Sequence, residues 1–124
     1  MEKNTVFIVD DNKVAGELLE WLLSVRSISA KTFLFAEDFL NICHADMNGC
    51  LVLDMHLPQM DGIALLQELR RRNIWLPVII VSGQIYIPTT IHSTYESIVA
   101  VFKKPANTDE LIATIQQALE NCES

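Results

Sequence analysis

The chain has 124 residues, half of them hydrophobic and a fifth charged, with four glycines, four prolines and a formal net charge of −7. That length suits one hydrophobic core, so residues 1–124 are expected to be a single domain, and the composition excludes a disordered chain. The acidic balance argues against a nucleic-acid surface, which relies on clustered Lys and Arg to neutralise phosphates.

The N-terminal Met1-Glu2-Lys3-Asn4 leads directly into an apolar run, with no signal-peptide h-region, and no segment approaches ~18 uninterrupted apolar residues. A cytoplasmic protein with no membrane contact is therefore expected. The three cysteines, Cys43, Cys50 and Cys122, are odd in number and lack C-x-x-C spacing, which fits a reducing compartment.

The first apolar run, Thr5 to Val9, predicts a strand. Ala15, Leu18, Leu19, Leu22 and Val25 then share one helical face and predict a helix packed on a sheet through that face. Ala30 to Phe35 predicts a second strand and Ala36 to Met47 a helix. Leu51 to Leu53 predicts a third strand, opened by a buried Cys50. Leu65, Leu66 and Leu69 fall on one face of a further helix. Arg70, Arg71 and Arg72 follow, where the helix dipole favours cations, so they need no partner outside the helix. Val78 to Val81 predicts a fourth strand. Ile85 to Ser97, rich in Thr, Ile and Tyr, carries a weaker helix signal. Ile98 to Phe102 predicts a fifth strand. Asn107, followed three residues later by Glu110, approximates a capping box, and Leu111, Ile112, Ile115, Ala118 and Leu119 continue it as a last helix.

Short β-branched runs alternating with helical stretches imply an α/β fold, a doubly wound five-stranded parallel sheet with helices on both faces. Ligands in such folds bind beyond the carboxyl ends of the strands. Asp10-Asp11, Asp54, Ser82 and Lys104-Pro105 all fall there. Three carboxylates converging at one sheet end would repel each other strongly without a cation. Mg²⁺ is the natural candidate, because it takes oxygen ligands and is commonly held by carboxylates together with phosphoryl oxygens. Lys104 supplies a second, covalently attached positive charge.

Taken singly, most of these pieces have ordinary structural explanations. Asp-Asp before a helix usually caps it, Ser82-Gly83 would make a turn, Lys-Pro is common in loops, and Pro58 and Gly62 bracket a pre-helix loop. Asp54 is the exception, since an acid directly after an apolar strand and facing two others has no packing reason to be there. A zinc site from Cys43, His44, Cys50 and His56 is disfavoured, because the spacing matches no finger or ribbon.

Together the pair Asp10-Asp11, the segment Leu53-Asp54-Met55-His56-Leu57-Pro58-Gln59-Met60-Asp61-Gly62, Ser82-Gly83 and Lys104-Pro105 resemble a response-regulator receiver domain over nearly the whole chain. The overall pattern is most similar to receivers of FixJ-type transcriptional regulators. The resemblance implies a flavodoxin-like sheet of order 2-1-3-4-5 with five flanking helices. It also implies a non-enzymatic phosphorylation switch in which Asp54 accepts a phosphoryl group from a histidine kinase. The metal, Mg²⁺ with Mn²⁺ as an alternative, would be held by Asp10, Asp11, Asp54 and the backbone carbonyl of His56. Ser82 and Lys104 would bind phosphoryl oxygens, and the side chains of His56 and Gln84 would tune hydrolysis.

Two positions depart from the family pattern. Val101 stands where a Tyr or Phe is usual three residues before the lysine, and Ser97 where a Gly is common. Phe102, one residue later, faces the other side of the strand and cannot replace the missing aromatic; of two readings of Tyr95, taking over part of that role or packing on the surface, the second is expected. Further expectations are phosphorylation-dependent homodimerisation through the face of the fourth predicted helix, the fifth strand and the last helix, and DNA binding by an output domain rather than by this one. Two rival readings are weighed against this one. A stand-alone or degenerate receiver would act only as a protein-binding module, but the acids, Ser82 and Lys104 are all present. A haloacid-dehalogenase-type phosphatase needs a second acid two residues after its nucleophile, where this chain has His56.

Overall fold

The computed structural model describes residues 5–55, 60–83 and 95–122, with side chains through 120 at the C-terminal end. Strands β1 (Thr5–Val9), β2 (Ser29–Phe33), β3 (Gly49–Leu53), β4 (Val78–Ser82) and β5 (Ile98–Lys103) form one sheet of order β2-β1-β3-β4-β5. Every neighbouring pair is parallel. The described residues contain four helices, α1 (Lys13–Val25), α2 (Ala36–Ile42), α3 (Gly62–Arg71) and α4 (Thr108–Cys122). Most of the helix expected over 85–97 lies outside the described residues, and Tyr95 to Ser97 form a turn into β5.

Alternation along the strands divides the interior into two cores. Phe7, Val9, Leu51, Leu53, Val78 and Ile80 face α2 and α3, whereas Val6, Ile8, Cys50, Val52, Ile79 and Val81 face α1 and α4. The central strands β1, β3 and β4 therefore read as continuous apolar runs, as strands buried on both faces must.

Element boundaries differ from the sequence expectation for identifiable reasons. β2 ends at Phe33 rather than Phe35, because Phe33 pairs with Val9 and β1 offers no residue beyond it. β3 begins at Gly49, whose φ of 142° and close approach to the Thr5 carbonyl exclude a side chain there. α2 stops at Ile42 instead of Met47, since Cys43 is already extended and buried Met47 returns the chain to β3.

The buried face of α1 is also displaced. Leu23 and Gly16 are its buried residues, while Leu18 and Val25 are 56% and 63% exposed. Gly16 explains the rotation. A Cβ there would stand 3.3 Å from Thr32, so the missing side chain lets this face of α1 sit against β2.

Helices α1 and α3 end alike. Ile28 N–H reaches the Leu23 carbonyl and Ser27 N–H that of Ser24; Ile74 and Asn73 repeat the pattern on Leu69 and Arg70. Both are Schellman ends with a left-handed residue, Ser27 at φ 61° and Asn73 at φ 57°. Asn tolerates that conformation and Ser does so less well. Ser27→Gly is therefore expected to stabilise the protein by about 0.5–1 kcal/mol, read as a higher urea midpoint at unchanged slope; a lower midpoint would show that no strain is relieved there.

Candidate functional site

The carboxyl end of the sheet is organised by hydrogen bonds that carry the parallel ladder one residue past the strands. Asp10 N–H donates to the Phe33 carbonyl (3.0 Å), Asp54 N–H to that of Val9 (2.9 Å), and Lys104 N–H to that of Ser82 (2.9 Å). Residues directly following β1, β3 and β5 are thereby fixed at one edge. Neighbouring strands lie roughly 4.8 Å apart, and β4 separates β3 from β5, so only a long side chain can cross from β5 to the acids. Lys104 does so. Its Nζ donates to Asp10 Oδ2 at 2.9 Å and to Asp54 Oδ2 at 3.3 Å.

All three groups are largely withdrawn from water, with side-chain exposures of 29% for Lys104, 12% for Asp10 and 7% for Asp54. Burial pulls the Lys104 pKa down, but its hydrogen bonds and charge contacts with Asp10 and Asp54 outweigh that and leave it raised. The ammonium is therefore present at neutral pH, and its contribution to stability would be lost only above the ordinary lysine range.

Asp11 stands beside this pair and is exposed. Oxygen atoms of Asp10, Asp11 and Asp54 lie within 4.8 Å of one another. Three hard carboxylate oxygens converging at an accessible edge fit a small divalent cation that prefers oxygen and retains water, as Mg²⁺ does.

The Asp-Asp pair does not cap α1. Asn12 takes that role, its Oδ1 accepting the Ala15 N–H at 3.1 Å, while Asp10 Oδ1 accepts the Asn12 N–H at 2.9 Å. The signal was present in the sequence, because Asn caps as well as Asp. Its effect is to leave Asp11 and the second oxygen of Asp10 pointing to the site.

Ser82 is fully buried at the end of β4, and a Cβ added to Gly83 would meet only open space. On the far side of Asp54, Gly62 opens α3, whose N-cap Asp61 accepts the Ala64 N–H at 2.8 Å. A Cβ on Gly62 would lie 2.9 Å from Met55 Cα, so this glycine lets α3 begin hard against the residue after Asp54. His56 and Gln84 lie outside the described residues.

Val101 packs with the core under α2 and α3, and Phe102 with the opposite core, as strand alternation requires. Tyr95, expected on the surface, is only 9% exposed within the first of these cores, with the Arg70 guanidinium 5.8 Å from its ring centroid. The arginine run likewise does more than answer a helix dipole. Arg71 and Arg72 both bind Glu68, whose pKa these hydrogen bonds lower to about 2, and Arg72 Nη1 reaches the Leu40 carbonyl at 3.0 Å to tie α3 to α2.

The zinc alternative fails on geometry. Cys43 packs with one core and Cys50 with the other, so the sheet stands between the two thiols. Burial also pushes the Cys43 thiol up to about 11, far from a ready metal ligand.

Comparison with known proteins agrees with this architecture. The family model of the response regulator receiver domain matches residues 6–116. The response regulator protein TodT of Pseudomonas putida is 31% identical over 117 residues, covering 94% of this chain and 52% of TodT. The transcriptional regulatory protein FixJ of Rhizobium meliloti is 31% identical over 121 residues, covering 98% and 59%. The chain thus spans about half the length of the curated relatives it matches. Among solved structures, the response regulator StyR superposes with a TM-score of 0.91 at 32% identity, covering 98% of this chain and 62% of the other. The structure titled FixJ-N gives 0.82 at 31%, covering 97% and 96%.

The cluster predicts an asymmetry that a urea double-mutant cycle at pH 7 measures. Lys104→Met should cost about 1–3 kcal/mol, because it removes the cation that offsets the repulsion between Asp10 and Asp54. In an Asp10→Asn background the same change should cost clearly less, and equal costs would mean that the two side chains are not coupled.

Proposed function

Because the chain belongs to the response regulator receiver domain family, we propose that it is a phosphorylation switch whose acceptor is Asp54, served by a histidine kinase. The observation that carries the reading is the buried Asp54 carboxylate 3.3 Å from the Lys104 ammonium, with Asp10 and Asp11 clustered beside it.

An Asp54 oxygen attacks the phosphorus of a phosphohistidine. A P–O bond forms, the P–N bond breaks, and its electron pair returns to the imidazole nitrogen. Such transfer is catalysed by positioning and charge neutralisation rather than by acid–base chemistry. Asp10 and Asp11, with a second oxygen of Asp54 and the backbone carbonyl of His56, would hold Mg²⁺, or Mn²⁺ in its place. The cation supplies charge neutralisation for the incoming phosphoryl oxygens. Lys104 holds the acceptor in place beforehand and afterwards pairs with a phosphoryl oxygen. The Ser82 hydroxyl donates to another, which draws the segment after β4 toward the site. That movement is the switch, an equilibrium between two loop arrangements biased by new contacts.

The residues do not support the usual aromatic relay from the site to the output face, since Val101 carries no ring. For the full-length protein we read a C-terminal DNA-binding output domain, by analogy with the transcriptional regulators that the chain half covers. Phosphorylation would promote pairing through the face formed by the 85–97 segment, β5 and α4.

With acetyl phosphate or the cognate kinase as donor, the parent is expected to incorporate label on Asp54 in a Mg²⁺-dependent way that EDTA abolishes. Asp54→Asn should show no acid-stable, base-labile label at that position; labelling of this variant equal to the parent would remove the assignment. His56 and Gln84 each lie two residues beyond a site residue in sequence, at positions that the family resemblance assigns to the flanks of the phosphoryl group. His56→Ala and Gln84→Ala are expected to change the lifetime of the acyl phosphate several-fold without changing labelling stoichiometry, and unchanged decay in both would exclude a tuning role.

A further inference from the structure

Between α1, the start of α4 and the face of the sheet made by β1, β3 and β4 lies a cavity of about 510 Å³ that reaches Asp54. Ile8, Leu19, Leu22, Val52, Val81 and Leu111 form its apolar wall. It follows from the rotation of α1. The helix approaches the sheet closely through Gly16 and Leu23, which leaves Leu19 and Leu22 half-buried over a space that no side chain fills. Domain interiors are close-packed, with few voids larger than a water molecule, whereas pockets for small molecules run to roughly 300–1,000 Å³. This cavity is open to solvent on one side, its volume falls in the second range, and its lining is mainly apolar.

Most polar groups at its mouth are already engaged. Lys104 is shared by Asp10 and Asp54, Asn12 Oδ1 caps α1, and among the described residues no buried side-chain nitrogen or oxygen lacks a hydrogen-bond partner. A ligand there finds only the exposed Asn12 amide and Thr108 hydroxyl at the rim, and much apolar surface to cover. Without a bound cation the charge beside it is negative, three carboxylates against one ammonium. An anionic ligand would be repelled, and a carboxylate drawn into the apolar wall would also lose its hydration.

We propose that this cavity is a binding site for a neutral, apolar organic molecule of one to three rings, and that it discriminates against ligands carrying a carboxylate. Asp54 and Lys104 line the same space, so occupancy restricts the movement of Lys104 from carboxylate to phosphoryl oxygen and slows phosphorylation. This coupling rests on the reading of Asp54 as acceptor; the binding does not.

Indole and its anionic counterpart indole-3-acetate serve as probes on the full chain kept free of divalent cations with EDTA. Titration of indole should give intermolecular NOEs to the methyl groups of Leu19, Leu22, Val52 and Leu111, and indole-3-acetate should bind at least about tenfold more weakly. Ala15→Phe and Ala106→Phe each place a ring in the cavity. In whichever of them keeps a native amide spectrum, the NOEs should vanish. Absence of NOEs up to the solubility limit, equal affinity for the carboxylate, or binding that survives in a folded filled variant would overturn the site. So would self-association that covers the α1 face and excludes the probe. NOEs in a protein that does not accept phosphoryl groups would uphold the site while removing the Asp54 reading, so the two fail separately.

Discussion

A single ammonium group shared by buried Asp54 and half-buried Asp10 organises the carboxyl end of this sheet. Lys104 reaches across the end of β4 to touch Asp10 and Asp54 at once, and offsets the repulsion between them. The interaction is available because three backbone hydrogen bonds extend the parallel ladder beyond β1, β3 and β5 and set those residues on one edge. The excess negative charge that remains, with Asp11 standing beside the pair, is what makes the edge receptive to a divalent cation.

The surrounding structure can be read as support for that edge. Asn12 takes over the capping of α1 and so frees the acids, while Gly62 lets α3 start directly against Met55. Away from the site, Arg72 joins α3 to α2 and Arg70 covers Tyr95. These contacts tie α3 to α2 and to the turn before β5. On the opposite side α1 leans on β2 through Gly16 and leaves an apolar space next to Asp54.

Much of this was legible beforehand. Five apolar runs mark five strands, and the strand-end positions of Asp10, Asp11, Asp54, Ser82 and Lys104 put these residues at one edge, because a parallel sheet places every carboxyl end there. Strand alternation also separated Val101 from Phe102 correctly. Where the structure departs from the expectation, neighbours distant in sequence decide. The apolar run overshoots β2, whose end is set by the end of β1. Helical spacing shows a stripe on α1 but not which edge of it meets the sheet. Nothing local marks Tyr95 as buried, because it joins a core built by other elements and lies under Arg70 of α3.

By itself the sequence determined the order of elements, the parallel sheet and the identity of the groups at its carboxyl edge. Local periodicity and the chemistry of side chains at run ends carry that information without any knowledge of packing. Only the tertiary structure decided that Lys104 serves Asp10 as closely as Asp54, that Asn12 rather than an aspartate caps α1, and that a cavity opens beneath the site. Each of these is a distance between residues on different elements, set by how helices settle on a twisted sheet, and no one-dimensional pattern records it.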